Sequence, residues 1–356
     1  MPSEKITPTS KSKRKLGIVS LYAGAGGLDI AACRTGMVEA IVSTDANATF
    51  LSTIEKNLPV HFPEVRHASI VEDGTTIKGS VLKKLLGYTP DIVMGGPPCD
   101  DFTSLGKKRG LAGEKGNLIY QYLRVVNEIK PKVFIFENVP NLAKQFRRAF
   151  ETFLSDAEGM GYHIKWALLK ACDYGAPTSR TRIFVVGWKS QINNSRYQFP
   201  NVTHRELNLE QAELLNSDET MPMVYIRDIL QSLPDVGTNE AEKFLNHVGR
   251  PHRPETIEHL KTVPMGKSVK KSYRYRSPWD GLIQSLTAGV DYATKSYIHP
   301  IYHREMSVRE YARIHGFADS WDFSGTHHNG IKQVANAVPI PLGSAVIKSV
   351  AQMLSK

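Results

Sequence analysis

Leu16-Gly17-Ile18-Val19-Ser20-Leu21-Tyr22-Ala23-Gly24-Ala25-Gly26-Gly27-Leu28-Asp29-Ile30 decides the fold. Its first six residues make an apolar run of strand length. Gly24, Gly26 and Gly27 then form a turn, and the residues after them take a helical pattern. Glycines in such a turn let the backbone approach a cofactor closely and let the helix pack on the strand. A second apolar run, Ala40-Ile41-Val42-Ser43-Thr44, ends in Asp45. An acid at that point can accept hydrogen bonds from the two hydroxyls of a ribose. A Gly-rich turn alone is weak evidence; joined to Asp45 it points to a nucleotide-type cofactor.

Outward from this unit, apolar strands alternate with helix-period stretches as far as Trp188. The pattern predicts strands near 16–21, 40–44, 91–95, 132–136, 164–170 and 182–188, and helices near 27–35, 47–57, 117–130 and 141–158. That alternation is the mark of an α/β fold, a doubly wound and mostly parallel sheet. From Ser190 the periodicity fades and Pro, Asn, His and basic residues take over; helical order returns near Ser307. The expected organisation is a basic N-terminal arm at 1–15, a catalytic and cofactor-binding domain at 16–189, and a smaller irregular domain at 190–283. A C-terminal segment at 284–356 completes the catalytic domain.

Two further runs place reactive groups on the same rim. Asp91-Ile92-Val93-Met94-Gly95-Gly96 leads into Pro97-Pro98-Cys99, and Val133-Phe134-Ile135-Phe136 leads into Glu137-Asn138-Val139. A thiol and a carboxyl at the ends of two strands of an open α/β sheet sit where such folds hold ligands. A nucleophile with a nearby acid suggests covalent catalysis. The plainer alternative is a small core cysteine and a surface glutamate.

Composition limits the partners. The net charge of +10 points to a polyanion. The excess is concentrated between His247 and Arg276, where Arg250, Arg253, Lys261, Lys267, Lys270, Lys271, Arg274 and Arg276 oppose only Glu255 and Glu258, with Tyr273 and Tyr275 interleaved. A solvated charged loop is one reading; release of counterions from phosphates explains the imbalance better. Lys107, Lys108 and Arg109 stand among Gly106, Gly110, Gly113 and Gly116 just after Cys99. Such a loop either closes over a ligand or is a surface loop without a role. No stretch approaches the roughly 20 uninterrupted apolar residues of a membrane helix, and the polar, basic start has no secretory pattern. Cys33, Cys99 and Cys172 lack metal-ligand spacing, as do the histidines, and fit a reducing cytoplasm.

Taken in order, these motifs resemble those of the DNA cytosine-5 methyltransferases, in particular compact bacterial modification enzymes. Tyr22-Ala23-Gly24-Ala25-Gly26-Gly27 resembles the S-adenosylmethionine loop, and Gly96-Pro97-Pro98-Cys99 the nucleophile loop. Asn117-Leu118, Glu137-Asn138-Val139, Arg180-Thr181-Arg182, Arg309-Glu310, Gly316-Phe317 and Gln333-Val334-Ala335-Asn336-Ala337-Val338 follow in the family's order. The resemblance implies catalytic roles for Cys99, Glu137, Asn138, Arg180 and Arg182. Cys99 would add to carbon 6 of cytosine and a protonated Glu137 would donate to nitrogen 3. Asn138 would orient that carboxyl, Arg182 hold the base's carbonyl oxygen, and Arg180 support the Cys99 loop. It implies cofactor contacts from Tyr22, Ala23, Gly24, Gly26, Gly27, Leu28, Asp45, Ala46, Ser69, Ile70, Pro97, Asn336 and Ala337. The cofactor would be S-adenosylmethionine, giving S-adenosylhomocysteine, with no metal. DNA contacts are expected from Lys107, Lys108, Arg109, Lys270, Lys271, Arg274 and Arg276. Ser69 departs from the family's usual Asp, and Ala335 from its usual Gly.

The implied partner is double-stranded DNA, its target base flipped out of the stack. A cognate restriction endonuclease in the same system, without a stable complex, a monomeric state and a cytoplasmic, nucleoid-associated location follow as expectations. A tRNA cytosine-5 methyltransferase would share the motifs; the long 190–283 segment favours DNA as a dedicated recognition domain. A DNA-binding module without activity fits poorly with intact Cys99, Glu137 and Arg182. A nicotinamide oxidoreductase would explain the Gly-rich turn but not Pro-Pro-Cys.

Overall fold

The computed structural model describes residues 15–98, 117–190, 192, 197–206, 220–268, 274–286 and 296–355. The Gly-rich unit forms as its pattern requires: β1 (Leu16–Leu21) is buried throughout, and α1 (Gly27–Cys33) starts directly after the turn. β2 (Val38–Asp45), α2 (Ala48–His61), β3 (Arg66–Val71), α3 (Gly79–Leu86), β4 (Ile92–Gly95), α4 (Asn117–Ile129) and β5 (Val133–Asn138) continue the alternation. α5 (Asn141–Lys144), α6 (Arg147–Gly159), β6 (Tyr162–Lys170) and β7 (Thr181–Lys189) complete a seven-stranded sheet of order β3-β2-β1-β4-β5-β7-β6.

All neighbours pair in parallel except β7, which runs antiparallel to β5 and β6. Strand order reverses between β1 and β4, and the crevice at such a switch point, beyond the carboxyl ends of the strands, is where open α/β sheets bind ligands. β3 was not predicted. Its Arg66-His67-Ala68-Ser69-Ile70-Val71 is an edge strand without a continuous apolar run, and none of its residues is fully buried. The single helix predicted over 141–158 is two, α5 and α6, parted at Gln145 and Phe146.

One buried acid holds the unit together. Asp29, fully enclosed in α1, accepts hydrogen bonds from Ser20 Oγ of β1 at 2.9 Å and Ser43 Oγ of β2 at 2.5 Å. Burial pushes its carboxyl up to about 6 against these two donors.

Between residues 197 and 286 the described elements are short: β8 (His204–Arg205), β9 (Met221–Pro222), α7 (Ile226–Leu230), α8 (Pro254–Lys261) and β10 (Arg274–Arg276). β11 (Ser296–Ile298) pairs with β10. The chain then returns to the sheet through α9 (Val308–Ile314), α10 (His327–Asn336) and α11 (Ile340–Leu354). A capping box starts α9: Ser307 Oγ accepts from Glu310 N at 3.2 Å, and Glu310 Oε2 accepts from Ser307 N at 2.7 Å. Arg309, fully buried, donates to the carbonyls of Leu245, Ala318 and Trp321. The apolar stretch from Val338 to Met353 is thus a core helix, α11, whose Gly343 lies against Ala31 and Leu28 of α1.

Candidate active site

The carboxyl ends of β1 and β2 form a small cleft lined by Leu21, Tyr22, Thr44, Asp45, Glu72, Gly74, Ile77 and Val125. Three residues of the turn above it have left-handed backbone: Tyr22 (φ 54°), Gly24 (φ 58°) and Gly26 (φ 85°). Glycine suits two of these; Tyr22 is there against its Cβ. The turn is fixed by Asp45, whose Oδ2 accepts from Gly24 N at 2.9 Å and whose Oδ1 accepts from Asn47 N at 2.8 Å. Burial raises the Asp45 carboxyl above its usual range, and these two N–H groups oppose the shift. The Thr44 hydroxyl oxygen beside it is buried with no hydrogen-bond partner among the described residues. A ligand with hydroxyl or amino groups fits a cleft that offers a carboxylate and an unsatisfied hydroxyl.

The predicted cofactor residues divide in space. Tyr22, Ala23, Gly24 and Ala46 are partly or fully exposed around the turn, whereas Leu28 is buried in the core. Gly27 belongs to the packing: a Cβ there would lie 2.9 Å from Val338 O and 3.1 Å from Ala337 Cβ. This contact brings Ala337, and the exposed Asn336 at the end of α10, up to the turn. Ser69 is not on the rim. It pairs with Ser43, two residues before Asp45, and its hydroxyl donates to Glu55 on α2. Ile70 packs partly buried against the core. The rim position is taken instead by Glu72, whose N–H bonds to Asp45 O at 3.1 Å. Sequence reasoning missed Glu72 because the unpredicted β3 left the register unfixed.

Across the switch point, β5 presents Glu137 beside the chain leaving β4. Gly96 leaves room for that carboxyl: a Cβ there would sit 2.5 Å from Glu137 Oε2. Glu137 Oε1 accepts from Arg182 Nε at 2.9 Å, with both side chains about nine-tenths buried. Burial raises the Glu137 carboxyl above its usual range, while Arg182 and Arg180 pull it down without cancelling the shift. The acid is therefore biased towards its neutral form, beside a fixed cation.

The neighbouring polar side chains have defined partners. Asn138 does not hold the Glu137 carboxyl: its Nδ2 donates to Pro97 O at 3.2 Å and its Oδ1 accepts from Val139 N at 2.9 Å, so it fixes the buried Pro97. Arg182 bonds Glu137 and, through Nη1, Thr181 O. Arg180, buried, donates to Leu286 O at 2.8 Å and Ala335 O at 2.7 Å, tying β7 to the end of α10. Cys99 lies outside the described residues, as do Lys107, Lys108, Arg109, Lys270 and Lys271.

Of the described basic residues, Arg276 is no phosphate ligand. It is buried and donates to the carbonyls of Val263, His299, Pro300, Tyr302 and Leu260. Arg274 Nε lies 3.2 Å from Glu305, which Arg250 also approaches at 3.4 Å. Tyr275 stands edge-on to the buried Tyr297, with ring centroids 5.9 Å apart. Of these residues the sequence reading places Arg274 and Arg276 on the DNA. Among the described residues no group of three His, Cys, Asp or Glu side chains has metal-binding geometry.

A doubly wound sheet with a Gly-rich turn and acid on one side of the switch point, and an acid–arginine pair on the other, is the architecture of a Rossmann-like methyltransferase. Residues 16–352 match the family model described as C-5 cytosine-specific DNA methylase, and the chain belongs to that family. It is 29% identical to the Type II methyltransferase M.FnuDI of Fusobacterium nucleatum, covering 95% of each chain. It is also 29% identical to the Type II methyltransferase M.Eco47II of Escherichia coli, over 98% of this chain and 82% of that one. Among solved structures it resembles a prophage-encoded E. coli protein assigned as a DNA modification methyltransferase. There the TM-score is 0.74 and the identity 23%, over 96% of this chain and 100% of the other.

Proposed function

We propose that this DNA cytosine-5 methyltransferase transfers the methyl group of S-adenosylmethionine to carbon 5 of a cytosine flipped out of duplex DNA, through a covalent Cys99 adduct. The observation that carries the reading is the buried Glu137–Arg182 pair set against Gly96, three residues before Cys99. Carbon 5 of cytosine is a poor nucleophile until electrons enter the ring. Addition of the Cys99 thiolate to carbon 6 supplies them, and a neutral Glu137 stabilises the developing charge by donating a proton to nitrogen 3. Arg182 orients that carboxyl, and Asn138, through Pro97, fixes the chain that leads to Cys99.

When bound, S-adenosylmethionine supplies an electrophilic methyl group. Asp45 and Thr44 would hold its ribose in the cleft that Glu72 also lines, and Asn336 and Ala337 would close the turn side. Loss of the carbon-5 proton to solvent water then expels Cys99 as the thiolate, and nitrogen 3 returns its proton to Glu137, which restores the neutral carboxyl and the aromatic ring. The irregular stretch 190–283 acts as the target-recognition domain, and residues 284–356 complete the catalytic domain. The names of the Type II relatives favour a place beside a restriction endonuclease.

The test is incorporation of tritiated methyl groups into unmethylated duplex DNA and into tRNA at matched salt, followed by methylation-sensitive sequencing of DNA from expressing cells. Methylation of cytosine in one short duplex sequence is expected. Preference for tRNA, or no methylcytosine, would refute the reading.

A further inference from the structure

The segment between Pro98 and Asn117, which contains Cys99, enters and leaves through described residues. At its start Asn138 holds Pro97 O. At its end α4 begins, and there the Tyr22 hydroxyl donates to the carbonyl of Leu118 at 3.2 Å. We propose that Tyr22 is a positioning residue whose hydroxyl fixes the N-terminus of α4 against the cofactor turn, so that Tyr122 of the same helix holds β4 and β5, the strands that lead to Gly96 and Glu137. The inference rests on the reading of the cleft as the S-adenosylmethionine site.

Several observations support it. Tyr22 keeps a left-handed backbone that a Cβ disfavours, so its surroundings over-determine its place. Gly74 makes room for the ring: a Cβ there would lie 2.3 Å from the Tyr22 hydroxyl. Arg124 of α4 donates to the carbonyls of Gly74 and Ile77 at 3.1 and 2.9 Å, which binds the same loop to the same helix. Tyr122, one helical turn beyond Leu118, is buried and donates to Val93 O of β4 and Ile135 O of β5. The helix is thus pinned beneath the catalytic strands at Tyr122 and to the cofactor turn at Tyr22. Burial holds the Tyr22 phenol far above its usual titration range, with Asp73 and Asp45 adding to the shift and Arg124 opposing it, so the group remains a donor.

The ring and the hydroxyl then have separable roles. In the full-length enzyme, Tyr22→Phe keeps the ring and removes the donor. Its expected effect is a fall in kcat of about 3- to 10-fold, the range of one neutral hydrogen bond. KM for S-adenosylmethionine should stay within about 2-fold, with the thermal midpoint near that of the unaltered enzyme. Gly74→Ala displaces the ring itself and should raise KM for S-adenosylmethionine. The readout is tritiated methyl transfer into unmethylated phage λ DNA, normalised to folded enzyme, with calorimetric binding of S-adenosylhomocysteine. Unchanged kcat in Tyr22→Phe, or a loss confined to KM for the cofactor, would overturn the inference. Failure of the unaltered enzyme to bind S-adenosylhomocysteine would instead overturn the reading of the cleft.

Discussion

Gly96→Ala isolates the placement of the acid from the rest of the site. Gly96 does not have a positive φ, so alanine adds no backbone strain there. Its Cβ would lie 2.5 Å from Glu137 Oε2, whereas ordinary contact begins at 3.4 Å, so the carboxyl must retreat by about 0.9 Å. Its 2.9 Å bond to Arg182 fixes the present position, and most retreats of that size stretch the bond past useful length. A misplacement near 1 Å costs a positioned catalytic group about 10²-fold in rate, and overpacking of this kind costs about 1–3 kcal/mol in stability. The cofactor cleft does not include Gly96. Single-turnover methyl transfer should therefore fall about 10²-fold, while the dissociation constant for S-adenosylhomocysteine stays within about 3-fold. A rate within 3-fold of the unaltered enzyme would refute the steric argument. Rate and cofactor affinity lost together would refute the separation of the two halves of the site.

Glu137→Gln should slow single turnover by about 10²–10⁴-fold, the usual contribution of a positioned acid. Because burial raises the Glu137 pKa, its reactive neutral form is full at low pH, and its contribution is lost as pH rises through that pKa. A pH–rate profile should show this basic limb in the unaltered enzyme and not in Glu137→Gln. Asp45→Ala removes the acceptor of Gly24 N and Asn47 N; calorimetry should show S-adenosylhomocysteine binding weakened about 10-fold or more, with less effect on single turnover at saturating cofactor. Arg276→Met strands several buried carbonyls and should destabilise the fold by about 3–5 kcal/mol. The slope of DNA affinity with salt in the folded fraction should not change; a flatter slope with full stability would return Arg276 to the DNA.

The sequence revealed what continuous burial writes into it. β1, β4 and β5 are buried throughout and mostly apolar because both faces are covered, and they carry the Gly-rich turn, Gly96 and Glu137 to one rim. Edge strand β3 is open on one side and left no such run, so its register stayed hidden, and with it that Glu72 lines the cleft. Side-chain partners were the least legible. Asn138, Arg180 and Arg276 act through main-chain carbonyls distant in the chain, and nothing local in the sequence distinguishes an arginine that faces phosphate from one that ties five carbonyls together.

The central claim is the covalent step at Cys99. Duplex DNA containing the methylated sequence, with 5-fluorocytosine at the target position, should be incubated with enzyme and S-adenosylmethionine and examined by denaturing electrophoresis and peptide mass spectrometry. The carbon-5 fluorine cannot leave as a proton does, so a denaturation-resistant adduct through Cys99 is expected, and Cys99→Ala should give none while still binding S-adenosylhomocysteine. Methyl transfer by Cys99→Ala, or an adduct mapped to another residue, would contradict the account.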